Sequence, residues 1–254
     1  MQAPTRMAWV LALAVTCGGS HAATEQDALV LLSNPLSDLD RFSADFDSDH
    51  DLGPEGDVER DTLALQPVFS VPVSAAWRVV SRTRLPIVDT GGHSGLGDLY
   101  ETLFVTPRER SEIAWAIGST VRFDTASVPE LSAGGWGAGP ALALVQREKA
   151  DVSGLMIARV WPLERGSGDV WRLEGFTTWN RDGVGVSLEL DAQYDTQTRE
   201  TTCPISIGVS RVVRSGALFV NIGARARYFV DVPVDKGPWG LGITLTLVNA
   251  FEGR

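Results

Sequence analysis

Near the end of the chain, Trp239, Leu241, Ile243, Leu245, Leu247 and Phe251 fall on one face. Gly240, Gly242, Thr244, Thr246 and Ala250 fall on the other, the period-two pattern of a β-strand. At ~3.3 Å per residue the steps from Trp239 to Phe251 span ~40 Å, which a ~40° tilt reduces to ~30 Å along a barrel axis. Aromatic residues bracketing one bilayer thickness are expected of a membrane-spanning strand. Comparable segments occur at about 62–73, 76–88, 96–106, 112–124, 135–148, 151–163, 168–180, 183–195, 201–213, 216–229 and 238–251, separated by Gly, Asp and Pro turns. That makes eleven, whereas single-chain bacterial barrels have even strand numbers. The pattern therefore predicts an all-β, antiparallel up-and-down transmembrane β-barrel of twelve strands, with ten as the alternative.

Several segments separate into two faces. Val184, Val186, Leu188, Leu190, Ala192 and Tyr194 oppose Gly185, Ser187, Glu189, Asp191 and Gln193. Leu218, Val220, Ile222, Ala224, Ala226 and Tyr228 oppose Asn221, Gly223, Arg225 and Arg227, with Phe219 as the exception. Trp77, Val79, Leu85 and Ile87 oppose Arg78, Arg82 and Arg84. Segments 96–106 and 151–163 show no clean faces. Residues 23–61 differ: a short apolar stretch, Ala28 to Leu32, is followed by an acidic run from Asp45 to Asp61 in which no strand is read. We expect an irregular N-terminal segment there, lumenal or periplasm-facing, with at most a short helix and an acidic loop leading to a barrel over 62–254.

The first 22 residues change the picture from a generic β-protein to an exported one. Arg6, the apolar run Met7 to Val15 and the small residues before Ala23 read as a signal peptide, and the apolar run is about half the ~20 residues of a spanning helix. Cys17 invites comparison with a lipobox, but Thr16 before it fits poorly. Removing the leader leaves about 232 residues, enough for one large β domain. The full chain has 22 basic and 32 acidic residues, and Arg6 is the only charge lost with the leader. This acidity argues against nucleic acid as a partner. Cys203 alone remains after cleavage, so no intrachain disulfide is expected despite export to an oxidising compartment.

A soluble barrel alternates too, so the choice rests on other features. In a soluble barrel the interior would be filled with bulky apolar side chains and the polar face would be solvated. Here the polar face is rich in Gly, Ser and Thr, with arginines on some strands and carboxylates on others, as suits a water-filled lumen. Trp77, Trp115, Trp171, Trp179 and Trp239 lie near segment ends, as do Tyr194, Tyr228 and Phe251. Such rings can sit at the headgroup level with their polar atoms wet. Outer-membrane lipid is the partner this implies.

Six short motifs occur in order: Asn34-Pro-Leu-Ser-Asp-Leu39, Asp61-Thr-Leu-Ala-Leu-Gln-Pro-Val68, Arg82-Thr-Arg-Leu-Pro-Ile87, Gly95-Leu-Gly-Asp98, Gly134-Gly-Trp-Gly-Ala-Gly-Pro140 and Pro238-Trp-Gly-Leu241. Together they resemble the outer-membrane barrel family linked to the meta-pathway of phenol degradation. The resemblance covers nearly the whole mature chain. It implies an architecture like that of long-chain fatty-acid and aromatic-hydrocarbon channels, with uptake of small hydrophobic or aromatic compounds, and it brings no catalytic residues. The acidic run Asp45 to Asp61 departs from the Asn- and Gly-rich stretch the family leads one to expect.

Other chemistry fits less well. Asp47, Asp49 and Asp51 alternate as in a calcium loop, but an EF-hand needs Gly and Glu where Leu52 and Val58 stand. Gly92-His-Ser-Gly-Leu96 lacks the final Gly of a nucleophile elbow, and adjacent His93 and Ser94 point apart along a strand. No glycine run has dinucleotide or phosphate-loop spacing, so neither cofactor nor metal nor catalysis is expected. The candidate functional residues are the polar-face charges Arg78, Arg82, Arg84, Glu174, Glu189, Asp191, Arg225 and Arg227. Charge ladders of this kind set selectivity or constrict a pore; alternatively they pair across the lumen and plug it. The sequence thus predicts a channel for an unidentified small molecule, with a non-transporting barrel and a soluble ligand-binding β-protein as the competing readings.

Overall fold

Twelve antiparallel strands close into a barrel in the computed structural model, which describes residues 23–53, 55–109, 111–163, 168–230 and 237–249. A helix, α1 (Glu25–Leu32), precedes β1 (Arg41–Leu52), β2 (Val58–Pro72), β3 (Trp77–Thr90), β4 (His93–Leu96), β5 (Leu99–Pro107), β6 (Ile113–Phe123), β7 (Gly137–Glu148) and β8 (Asp151–Pro162). There follow β9 (Val170–Arg181), β10 (Val184–Asp195), β11 (Thr201–Thr202), β12 (Pro204–Ser215), β13 (Leu218–Phe229) and β14 (Trp239–Asn249). The short β4 and β11 fold back on β3 and β10; the other twelve make the wall. Pairing of β14 with β1, in the register Phe46↔Ile243, closes it, so that wall presents no free edge.

The strand missing from the sequence reading is β1, which corrects the expected acidic loop: the barrel begins at Arg41 rather than Thr62. Its outer face offers few large apolar side chains, Phe42 and Phe46, 43% and 42% exposed. Its inner face carries Asp45, Asp47 and Asp49, all buried. Aspartate is a poor strand former in isolation, and here it is tolerated because arginines from another strand meet it. The signal-peptide residues and the proposed anchor Phe251 lie outside the described residues.

Turn chemistry sorts the two ends. At one end the hairpins are tight: Asp182 (φ 51°) and Gly183 (φ 75°) form a two-residue turn with both φ positive, as a type I′ turn requires. Residues 149–150 and 216–217 make equally short links. At the other end the connections are longer, notably 124–136 and 196–203. Outer-membrane barrels carry their short turns on the periplasmic side.

α1 sits inside the short-turn mouth. Thr24 and Asp27 form a capping box at its N-terminus, satisfying orphan N–H groups. Gln26 Nε2 donates to the Asn180 carbonyl at 3.2 Å, and Gly183 N–H donates to Gln26 Oε1 at 2.9 Å. Ala28 and Leu29 pack with Val212, Phe219 and Val248 from the wall. This explains why Phe219 breaks the alternation: its ring faces the helix, not water. Further along, Leu36 is wholly buried against Val68, Val80, Phe104, Val145, Val152 and Met156. Burial of such a leucine contributes about 1.5–3 kcal/mol. The segments around β5 and β8 lacked clean faces for this reason, since both of their faces are apolar where the N-terminal segment covers the inner one.

Candidate functional site in the barrel lumen

The uncovered part of the lumen is a cavity of about 380 Å³. Of the charges singled out in the sequence, Arg82, Arg84, Glu174, Glu189, Asp191, Arg225 and Arg227 all line it or meet charges that do. Arg78 shares the face of Arg82 and Arg84, nearer the short-turn end, and does not line the cavity.

One wall is a ladder built over β14. Arg225 on β13 binds Asp47 on β1 with two parallel hydrogen bonds, Nε to Oδ1 at 2.8 Å and Nη2 to Oδ2 at 2.7 Å. Its Nη1 lies 3.4 Å from Asp45 Oδ1. Arg227 Nη1 lies 2.8 Å from Asp47 Oδ2 and 3.2 Å from Asp49 Oδ1. Gln66 and Thr244 donate to Asp45, each at 2.5 Å. Because β14 separates β13 from β1, these side chains can meet only if β14 is bare between them. Gly240 and Gly242 leave that gap: a Cβ on Gly242 would stand 2.2 Å from Asp47 Oδ1, and one on Gly240 would stand 2.1 Å from Asp49 Oδ1. Asp47 and Asp49 are thus committed to arginines, while Asp51 accepts from Trp239 Nε1 at 3.1 Å, which dissolves the calcium-loop pattern.

The second cluster crosses the lumen. Arg82 Nη2 on β3 reaches Glu174 Oε2 on β9 at 3.2 Å, and Arg84 Nη1 reaches Asp191 Oδ2 on β10 at 3.3 Å. In the twelve-strand ring β3 and β10 stand opposite one another. Both pairs are only partly exposed, so their attraction is less weakened by water than that of a fully solvated pair. Arg172 of β9 joins this cluster, its guanidinium 4.7 Å above the Tyr100 ring.

Sequence reasoning missed Asp45, Asp47, Asp49, Arg172 and Tyr100. The signal for the aspartates was their spacing of two, and for Arg172 its two-residue offset from Glu174 on one strand face.

The long-loop mouth is braced by two residues. Asp98 accepts from the N–H groups of Thr125 and Ala126, each at 3.2 Å, and from that of Ala133 at 2.6 Å. Arg122, fully buried, donates to the carbonyls of Ala133, Gly134 and Gly135. Two of the ordered motifs, Gly95–Asp98 and Gly134–Pro140, therefore meet in one folded loop. His93 Nδ1, on β4 at this end, stands 3.8 Å from Glu130 Oε2 rather than beside Ser94 in a relay.

Outside, the aromatic residues point away from the lumen. Trp77, Trp115 and Trp179 ring the short-turn end, and Trp171, Tyr194, Tyr228 and Trp239 the other, with between 38% and 53% of each exposed. Leucines, isoleucines and valines of β6, β7, β10, β12 and β14 fill the band between.

No family model and no curated protein sequence matches the chain. Among solved structures it is similar to an outer membrane channel from Pseudomonas putida F1, with 12% identity, a TM-score of 0.65 and coverage of 93% of this chain and 100% of that one. It is also similar to the NanC porin, with 10% identity, a TM-score of 0.53 and coverage of 83% and 100%. The shared property is the fold, a closed membrane-type β-barrel.

Proposed function

We propose that the chain is an outer-membrane channel for small compounds, hydrophobic or aromatic ones included, inserted with its short turns toward the periplasm after export by the N-terminal leader. The observation that carries this reading is a closed wall, apolar outside with an aromatic ring at each end, around a charged cavity. Such a surface is stable only in contact with lipid, and the Trp and Tyr rings take the role of headgroup anchors. The lumenal charges set what passes. The link to phenol degradation rests on the ordered motifs, two of which build the loop brace.

A second reading, a sealed barrel with a structural or surface-binding role, draws on the Arg82–Glu174 and Arg84–Asp191 pairs that span the lumen. Reconstitution into planar bilayers and solute-loaded vesicles separates the two. The channel reading expects conductance and solute flux from the native protein. Absence of both, with conductance appearing once Arg82 and Arg84 are replaced by Gln, would establish the sealed barrel instead.

A further inference from the structure

Arg172 is the odd member of the cross-lumen cluster. Its side chain is 11% exposed, and the nearest carboxylate oxygen, Glu174 Oε1, stands 4.0 Å away. Its Nε is buried with no hydrogen-bond partner. A guanidinium has five donors, and a buried one with donors unused is costly unless something else accepts from it. The neighbouring carboxylates are taken: Glu174 Oε2 by Arg82 and Asp191 Oδ2 by Arg84. On the far wall Asp45, Asp47 and Asp49 hold Arg225 and Arg227, and Glu189 interacts with Arg225. Around Arg172, three guanidiniums therefore share two carboxylates, a shortfall of one negative charge. Met156 and Phe176 line the same cavity, with Leu32 and Pro35 from the N-terminal segment, so apolar surface lies within the cavity that holds the unsatisfied cation.

We propose that Arg172 is the recognition point for a small monocarboxylic acid with an apolar body, an aromatic acid being the simplest, held in the lumen. The carboxylate takes the N–H groups that Arg172 presents to the cavity it lines, a charge-assisted contact of the kind guanidinium favours, and the body lies on the Met156 and Phe176 side. A neutral hydrocarbon leaves the donors unsatisfied, and an amine placed against Arg172 meets a like charge. The proposal deepens the channel reading and rests on it.

Calorimetric titration of the folded, detergent-solubilised barrel with benzoate, hexanoate, benzyl alcohol, benzylamine and chloride tests it, each against a micelle blank. Benzoate and hexanoate are expected to bind, with benzyl alcohol, benzylamine and chloride at least ~10-fold weaker, the worth of a charge-assisted pair of hydrogen bonds. Arg172→Met should abolish that preference, and Arg172→Lys should weaken it. Equal binding of benzyl alcohol or chloride, or benzoate affinity unchanged in both variants, would overturn the proposal. Should neither variant give the heat-modifiable gel band of a folded barrel, the ranking of the five probes on the native protein decides alone. Benzoate binding without any solute flux through vesicles would retain the site while overturning the channel; flux without benzoate binding would do the reverse.

Discussion

The smallest decisive residue is Gly242. Its absent side chain is what lets Arg225 and Asp47 join across an intervening strand. Gly242→Val would drive the pair apart inside a partly desolvated lumen, and breaking a buried pair costs about 3–5 kcal/mol. We expect the barrel to lose its compact gel form at a clearly lower temperature than the native protein; an unchanged transition would show that the ladder is not what holds this seam. Alternation put the glycines of β14 on one face, and the small and charged residues of that face, with aromatic ends on the other, made it the lumenal one. Their purpose was not readable, because it depends on Asp47, sitting in a segment whose alternation of aspartate with Ala44, Phe46 and Ser48 carries no hydrophobic signal.

Among the elements, the N-terminal segment explains most of what the pattern left unresolved. Along most of β10 and β14 the lumenal face is left open, α1 touching it only at the short-turn end through Gly185 and Val248, so apolar and polar positions alternate and the strands were placed to within a few residues. Where Leu36 and α1 press against the inside, the inner positions Phe104, Val152 and Met156 are apolar as well, and periodicity vanishes in the segments around β5 and β8. A strand is legible only insofar as its two environments differ. Leu36→Asp would place a charge against Val80 and Phe104, whose burial leaves it without a partner. The segment should leave the wall, and unitary conductance in planar bilayers should rise while the barrel stays folded; equal conductance would mean that the segment does not narrow the passage.

For the whole molecule, the contrast between tight and long connections implies, on the channel reading, an orientation that can be checked in cells. An epitope inserted at Gly92, where the space around the Cα is open, should be reached by antibody on intact cells, and one at Gly216 only after permeabilisation; the opposite result would invert the molecule. The charge ladder also bears on how such a wall can come to be closed. The aspartates of β1 are supplied near the start of the chain, and the arginines that neutralise them arrive on β13, next to last. Until the C-terminal hairpin docks, those carboxylates lack Arg225 and Arg227, with only Arg60 of β2 beside Asp49, and the first strand is poorly suited to a lipid-bounded sheet. Sealing the cylinder and bringing Arg225 and Arg227 to those carboxylates are the same event, so the last hairpin must be present before the first strand can settle.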